Sequence, residues 1–318
     1  MGRKLDSTLA VLNGLVGDYL ARTQNGLATE LGCYRDGSRV ELSPVGLARA
    51  CPELRPRVVV LVHGVMCTET IWQPVSGSAL GSDYGALLER ELGITPLYVR
   101  YNTGLPIADN GAALAQRLEA LVGAHPGLEE LLLIGYSMGG LVVRSACHHG
   151  GMLDQRWLPK VRRAFYLGTP HLGAPAERVG KLVARVLNAI DDPYTRLVAD
   201  LGNLRSAGVK DLGHADLRSE DRAARGERVS LRDERHPVPL LPSIRHYLIA
   251  GTLAQDPHLA LWFGDALVPL ASATSGSVRA AAEVALPPSH VKILSGVGHL
   301  MLAHHPDVYA QLKTWCEE

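Results

Sequence analysis

A chain of 318 residues that is 47% hydrophobic and only 20% charged can bury a large core, which excludes a mostly disordered polymer. Its 32 basic and 32 acidic side chains cancel, so no broad basic field exists to attract nucleic acid or an anionic membrane. Cys33, Cys51, Cys67, Cys147 and Cys316 are odd in number and lack the C-x-x-C spacing of metal and redox sites. They are expected to be reduced thiols of a cytoplasmic protein, with one disulfide as the alternative.

In chain order, Arg3 and Lys4 lead into Leu9 to Leu12, but Asn13, Gly14 and Asp18 interrupt the apolar run. The segment predicts an amphipathic helix rather than a secretion signal, and residues 1–50 read as a helical extension ahead of a domain over 51–318. A short apolar run, a glycine-rich turn and a helical stretch then recur, the rhythm of a parallel sheet. Strands are expected at 57–63, 96–101, 130–136, 161–167, 244–250 and 291–294, mostly apolar on both faces as helix-covered strands must be. Helices are expected at 110–122, at 141–148 after a glycine pair, and at 306–315 with Pro306 in the first turn. The longest apolar runs, 58–62 and 131–134, fall far short of a bilayer span, so no integral membrane segment is expected.

Between 167 and 244 the rhythm breaks over a stretch far longer than an ordinary connection. An inserted cap or lid over 174–240 is the natural reading. Its early part carries Val179, Leu182, Val183, Val186, Leu187 and Ile190 on one helical stripe, which reads as a core-facing helix ahead of a lipid-sensing one. Its late part, 216–235, is dense in charges of both signs, as a solvated surface is.

The chemistry lies in Gly135-Tyr136-Ser137-Met138-Gly139, followed by Gly140, where a strand gives way to a helix. A nucleophilic serine on such a turn needs small neighbours so that the chain can reverse beneath an exposed hydroxyl. The helix start then offers amides and a positive dipole end to a developing oxyanion, with Met138 as one donor. A second donor is expected from the loop after an earlier strand, at Val60-Leu61-Val62-His63-Gly64-Val65-Met66. The Val65 amide is the first choice and the Met66 amide the second; the plainer reading of this element is a strand-ending turn with a structural His63.

An acid and then a base should follow in chain order. Gly264-Asp265-Ala266-Leu267-Val268-Pro269 offers a carboxylate in a turn, and Gly296-Val297-Gly298-His299 offers an imidazole beyond the last strand. Ser137, Asp265 and His299 form the expected triad, with Asp265 orienting His299 and His299 shuttling the serine proton. Asp256, Asp191 and Asp192 are the alternative acids. His304 and His305 are placed in the last helix as surface or packing residues, and His148 and His149 at a helix end where positive charge is favoured. No metal or cofactor is expected.

Together these motifs resemble the bacterial triacylglycerol lipase and GPI inositol-deacylase-like branch of the α/β-hydrolases. The resemblance rests on V-L-V-H-G at Val60 to Gly64, G-Y-S-M-G-G at Gly135 to Gly140 and L-G-T-P-H-L-G at Leu167 to Gly173. Trp72, Tyr101-Asn102-Thr103-Gly104, the turn around Asp265 and the G-x-G-H-L stretch at Gly296 to Leu300 follow in the same order, so that it covers residues 57–315. It implies an α/β-hydrolase fold, a mostly parallel central sheet flanked by helices with a cap or lid insertion. It also implies cofactor-free hydrolysis of small-molecule or lipid carboxylic esters, with the triad and oxyanion residues just named and with Thr169-Pro170-His171 as a structural turn. A cap of this kind could touch lipid peripherally. Residues 1–50 and 200–240 match nothing in that branch. An acyltransferase using the same triad and a catalytically silent binding scaffold are the competing readings.

Overall fold

The computed structural model describes residues 2–74, 80–173, 206–214, 216–218, 220, 238–253 and 286–318. Six parallel strands form the body of the sheet: β3 (Arg57–Val62), β4 (Thr95–Arg100), β5 (Glu130–Tyr136), β6 (Val161–Leu167), β7 (Arg245–Thr252) and β8 (Val291–Ser295). Each falls within about two residues of a strand expected from the sequence, the usual scatter of element boundaries. An antiparallel hairpin not anticipated from the sequence, β1 (Gly32–Arg35) and β2 (Ser38–Val40), extends the sheet beyond β4. Its turn is Asp36-Gly37, both at positive φ, the pairing that two-residue hairpins prefer. The segment 1–50 therefore supplies sheet as well as helix.

The strand order is β2-β1-β4-β3-β5-β6-β7-β8. The chain leaves β3 toward β4 on one side and later returns to build β5 on the other, so the connections diverge between β3 and β5. In open α/β sheets a crevice opens at the carboxyl ends of the strands where the order reverses. The turns after β3 and β5 border that crevice.

Alternation along the strands divides the core into two layers. On one face Val58, Val60, Val62, Leu131 and Leu133 pack with Leu114, Leu118 and Leu121 of α4 (Ile107–Ala124) and Leu141 and Val142 of α5 (Met138–Met152). On the other face Val59, Leu61, Leu132, Ile134 and Phe165 pack with Leu87 and Leu88 of α3 (Tyr84–Leu92) and Leu312 and Trp315 of α7 (Pro306–Glu317). Two further helices flank this framework: α1 (Gly2–Arg22), bent at Val16, and α2 (Pro44–Ala50). Within the long interruption after β6, α6 (Ala207–His214) is described; the striped segment 177–190 and residues 221–235 of the charged run lie outside the described residues.

Several helix boundaries differ from expectation: α4, placed at 110–122, runs Ile107–Ala124. The helix placed at 141–148 begins three residues earlier, directly after Ser137, because the chain reverses at a single residue. His304 and His305 precede α7 instead of lying within it, and the His305 ring accepts the Asp307 amide at 3.2 Å as the helix cap. Among the described residues no helix is long and apolar enough to cross a membrane. All five cysteines are free thiols.

The amino ends of β3, β5 and β6 share one ion cluster. Arg57 Nε meets Glu130 Oε2 at 2.6 Å, Arg163 pairs with the other oxygen of the same carboxylate, and Arg57 Nη2 donates to the Cys316 carbonyl at 3.0 Å. This knot ties three central strands to the last helix at the end of the sheet away from the crevice.

Candidate active site

Ser137 occupies the single residue between β5 and α5, with φ +55 and ψ −123. A non-glycine side chain is uncommon at positive φ and persists where its surroundings over-determine it. Here the Ser137 amide donates to the Leu167 carbonyl at the end of β6, at 2.8 Å. The sharp reversal drives the start of α5 under the end of β3: a Cβ on Gly139 would lie 2.3 Å from the Val62 carbonyl oxygen and 2.4 Å from that of His63. Only glycine fits this position. Met138, next to the serine, is fully buried at the helix start, where backbone amides have no helical acceptor.

The loop after β3 lies against the serine. A Cβ on Gly64 would come within 3.0 Å of Ser137 Cβ, which brings Val65 and Ser137 into one neighbourhood. His63 shapes this loop. Its Nδ1 contacts the Gly64 carbonyl at 2.8 Å, its Nε2 faces the Tyr101 amide at 3.4 Å, and its ring stacks on Tyr101 at 4.4 Å. A carbonyl can only accept and an amide only donate, so the proton sits on Nδ1. Burial pushes the His63 pKa down to about 4, leaving a neutral brace for the loop. The Met66 amide, second choice as oxyanion donor, is already given to the Thr103 hydroxyl at 3.1 Å.

His299 stands in a short 3-10 turn (His299–Ala303) after β8 and is 1% exposed. Its ring lies 5.2 Å from that of Tyr136, the residue before the serine, and the Tyr136 hydroxyl donates to the His299 carbonyl at 3.3 Å. Gly168, with φ +59, follows the Leu167 that holds the serine amide. A Cβ there would lie 3.0 Å from His299 Nδ1 and Cε1. Ser137 and His299, far apart in sequence, thus share Tyr136 and the end of β6 as immediate neighbours. Tyr84 of α3 fixes the following chain by donating to the carbonyls of Leu302 and His305, each at 3.0 Å. Asp265, the expected acid, lies outside the described residues, as do Asp256, Asp191 and Asp192.

Several participants escaped sequence reasoning. Arg144 on α5 is buried; its Nη1 donates to His171 Nδ1 at 3.2 Å and its Nη2 to the Val238 carbonyl at 2.7 Å. Burial first, and the Arg144 charge second, hold the His171 pKa well below the ordinary imidazole value. His171 is thereby a neutral packing residue, as the Thr169-Pro170-His171 turn implied. Ser145 donates to the Leu217 carbonyl at 2.8 Å, so α5 anchors the interrupting segment at two points. A charged residue in an otherwise apolar helix, Arg144 in L-V-V-R-S-A, was the available signal.

Thr103, Tyr136 and Gly168 lie within stretches already singled out, but their individual contacts were not legible, because a hydroxyl or ring that reaches across strands leaves no periodicity.

No curated protein matches the chain. Among solved structures, the Bacillus licheniformis lipase BlEst2 in mature form is 18% identical, with 82% of this chain and 91% of that chain covered and a TM-score of 0.48. The propeptide form of the same lipase is 18% identical over 81% of this chain and 50% of that chain, with a TM-score of 0.50. The esterase RhEst1 from Rhodococcus sp. ECU1013 is 16% identical over 82% of this chain and 90% of that chain, with a TM-score of 0.41. At these identities the likeness concerns the fold. The model of the alpha/beta hydrolase family matches residues 59–312, a span that takes in the serine turn, the loop after β3 and His299, and the chain belongs to that family.

Proposed function

We propose that the protein is a serine hydrolase of carboxylic esters that works through an acyl-Ser137 intermediate. The observation that carries this reading is the left-handed Ser137 at the junction of β5 and α5, packed against the loop after β3 and neighboured by the buried His299. In this reading His299 takes the Ser137 proton as the hydroxyl oxygen attacks the ester carbonyl. The tetrahedral oxyanion is held by the amides of Val65 and Met138, and the proton passes to the leaving alcohol. Water, deprotonated by the same imidazole, then releases the acid and restores the serine. Asp265 orients the imidazole. The start of α5 favours this chemistry because helix amides and their dipole stabilise charge that develops only in the transition state.

Residues 174–240 serve, on the same reading, as the cap over the site, anchored on α5 by Arg144 and Ser145. The substrate is a small-molecule or lipid ester. A fluorophosphonate probe should label the protein stoichiometrically and fail to label Ser137→Ala, and short p-nitrophenyl esters should be turned over. Absence of both labelling and turnover by the wild type would overturn the proposal in favour of a binding scaffold.

A further inference from the structure

The loop that carries the Val65 amide bends at an unexpected residue. The Cys67 amide donates to the Gly64 carbonyl at 3.3 Å, closing a four-residue turn, and Met66 at its third position has φ +57. Turns of this shape ordinarily place glycine or asparagine there. A methionine holds such a conformation only if its neighbours impose it.

Two contacts do so. The Met66 amide donates to Thr103 Oγ1 at 3.1 Å, with both residues buried. The Met66 side chain lies on α1 at Gly14, where a Cβ would come within 2.3 Å of Met66 Cγ. The two supports are themselves joined, since Asn102 Nδ2 donates to the Gly17 carbonyl at 2.9 Å and Ser206 donates to the Gly14 carbonyl at 2.6 Å. From α6 the Gly208 amide donates to the Gly104 carbonyl at 3.0 Å. The bend of α1 at Val16, with φ −137 and ψ 19, lies between Gly14 and Gly17, the two residues whose carbonyls accept these side chains.

We propose that Thr103 is a positioning residue of the oxyanion loop, acting with Gly14 of α1: the hydroxyl fixes the Met66 peptide, the glycine seats the Met66 side chain, and the Val65 amide beside them keeps its direction. This rests on the acyl-transfer reading of Ser137. It gives the amino-terminal helix, which lies outside the family match, a part in catalysis without any contact with substrate.

Thr103→Val keeps the shape of the side chain and removes the acceptor. Because an oxyanion forms only in the transition state, kcat for a p-nitrophenyl ester should fall about 10- to 100-fold while KM stays within about twofold. Thr103→Ser should restore most of kcat. Adding Met66→Gly to Thr103→Val should recover part of the loss, since glycine adopts the bend unaided. Gly14→Ala should lower kcat in the wild type and much less in the Met66→Gly background.

Wild-type kcat in Thr103→Val, or a loss that Thr103→Ser does not repair, would overturn the proposal while leaving Ser137 labelling intact. If Thr103→Val does not fold, the Gly14 and Met66 pair decides: strictly additive effects overturn the clamp, and non-additive ones support it. If wild-type protein neither labels nor turns over ester, the acyl-transfer reading falls and takes the clamp with it.

Discussion

The same three strands, β3, β5 and β6, end in opposite ways at their two ends. At the amino end Arg57, Glu130 and Arg163 close an ion cluster that also grips the last helix. At the carboxyl end the chain leaves each strand through a left-handed residue: Met66 in the loop after β3, Ser137 after β5 and Gly168 after β6. Backbone in that region costs free energy unless its surroundings impose it, and here the site holds it. The amino end is closed by charged side chains and the carboxyl end by bent backbone, which the proposed mechanism puts to use. The difference shows where a fold can carry a strained turn: all three of these positive-φ residues lie beyond the carboxyl ends of β3, β5 and β6, outside the paired registers of the strands.

At the carboxyl end the largest expected effects come from the two side chains that the proposed mechanism makes react. Ser137→Ala and His299→Ala should each lower ester turnover by at least about 10⁴-fold, with thermal melting almost unchanged. Asp265→Asn should cost a comparable factor if that carboxylate orients the imidazole. Gly139→Ala tests geometry instead of chemistry. Its Cβ would press on two backbone carbonyls of the β3 end, so a loss of about 3 kcal/mol in urea unfolding together with loss of turnover is expected.

Acid should also act on the carboxyl end. Folding holds the His63 pKa at about 4, below the ordinary value of 6.5. Above pH 6.5 neither state binds the proton; as pH falls from 6.5 toward 4 the unfolded chain takes it up and the native chain does not. Stability should therefore drop across that window by about 3 kcal/mol for this group, and His63→Gln should flatten the pH profile of the melting temperature there. The amino end gives a smaller effect. Glu130→Ala leaves Arg57 and Arg163 facing one another and should destabilise by about 2 kcal/mol with kcat unchanged, which equilibrium unfolding and steady-state assay together would check.

Legibility in the sequence follows the same division. The strands that meet at the two ends were readable because Val58 to Val62 and Leu131 to Ile134 are continuous apolar runs, which a sheet covered on both faces requires. The serine turn was readable because small residues flank it for a steric reason. The β1–β2 hairpin was missed although Asp36-Gly37 marks its turn, since Gly32 to Arg35 is short and half polar and its pairing is set by β4, far along the chain. The start of α5 was placed late because the elbow compresses a strand-to-helix transition into one residue, which periodicity cannot resolve. Thr103, Met66 and Gly14 all stand in stretches the sequence marks out, but the support of Met66 by the other two was not legible, because each acts on a residue distant in sequence through a single atom or a missing one.

The hydroxyls of Tyr84 and Tyr136, on early and central parts of the chain, both reach the stretch that begins with His299. On the proposed mechanism the turn that holds the proton carrier is thus fastened through its backbone carbonyls by two phenols from other parts of the fold, so that the imidazole can pass a proton without also having to support the turn.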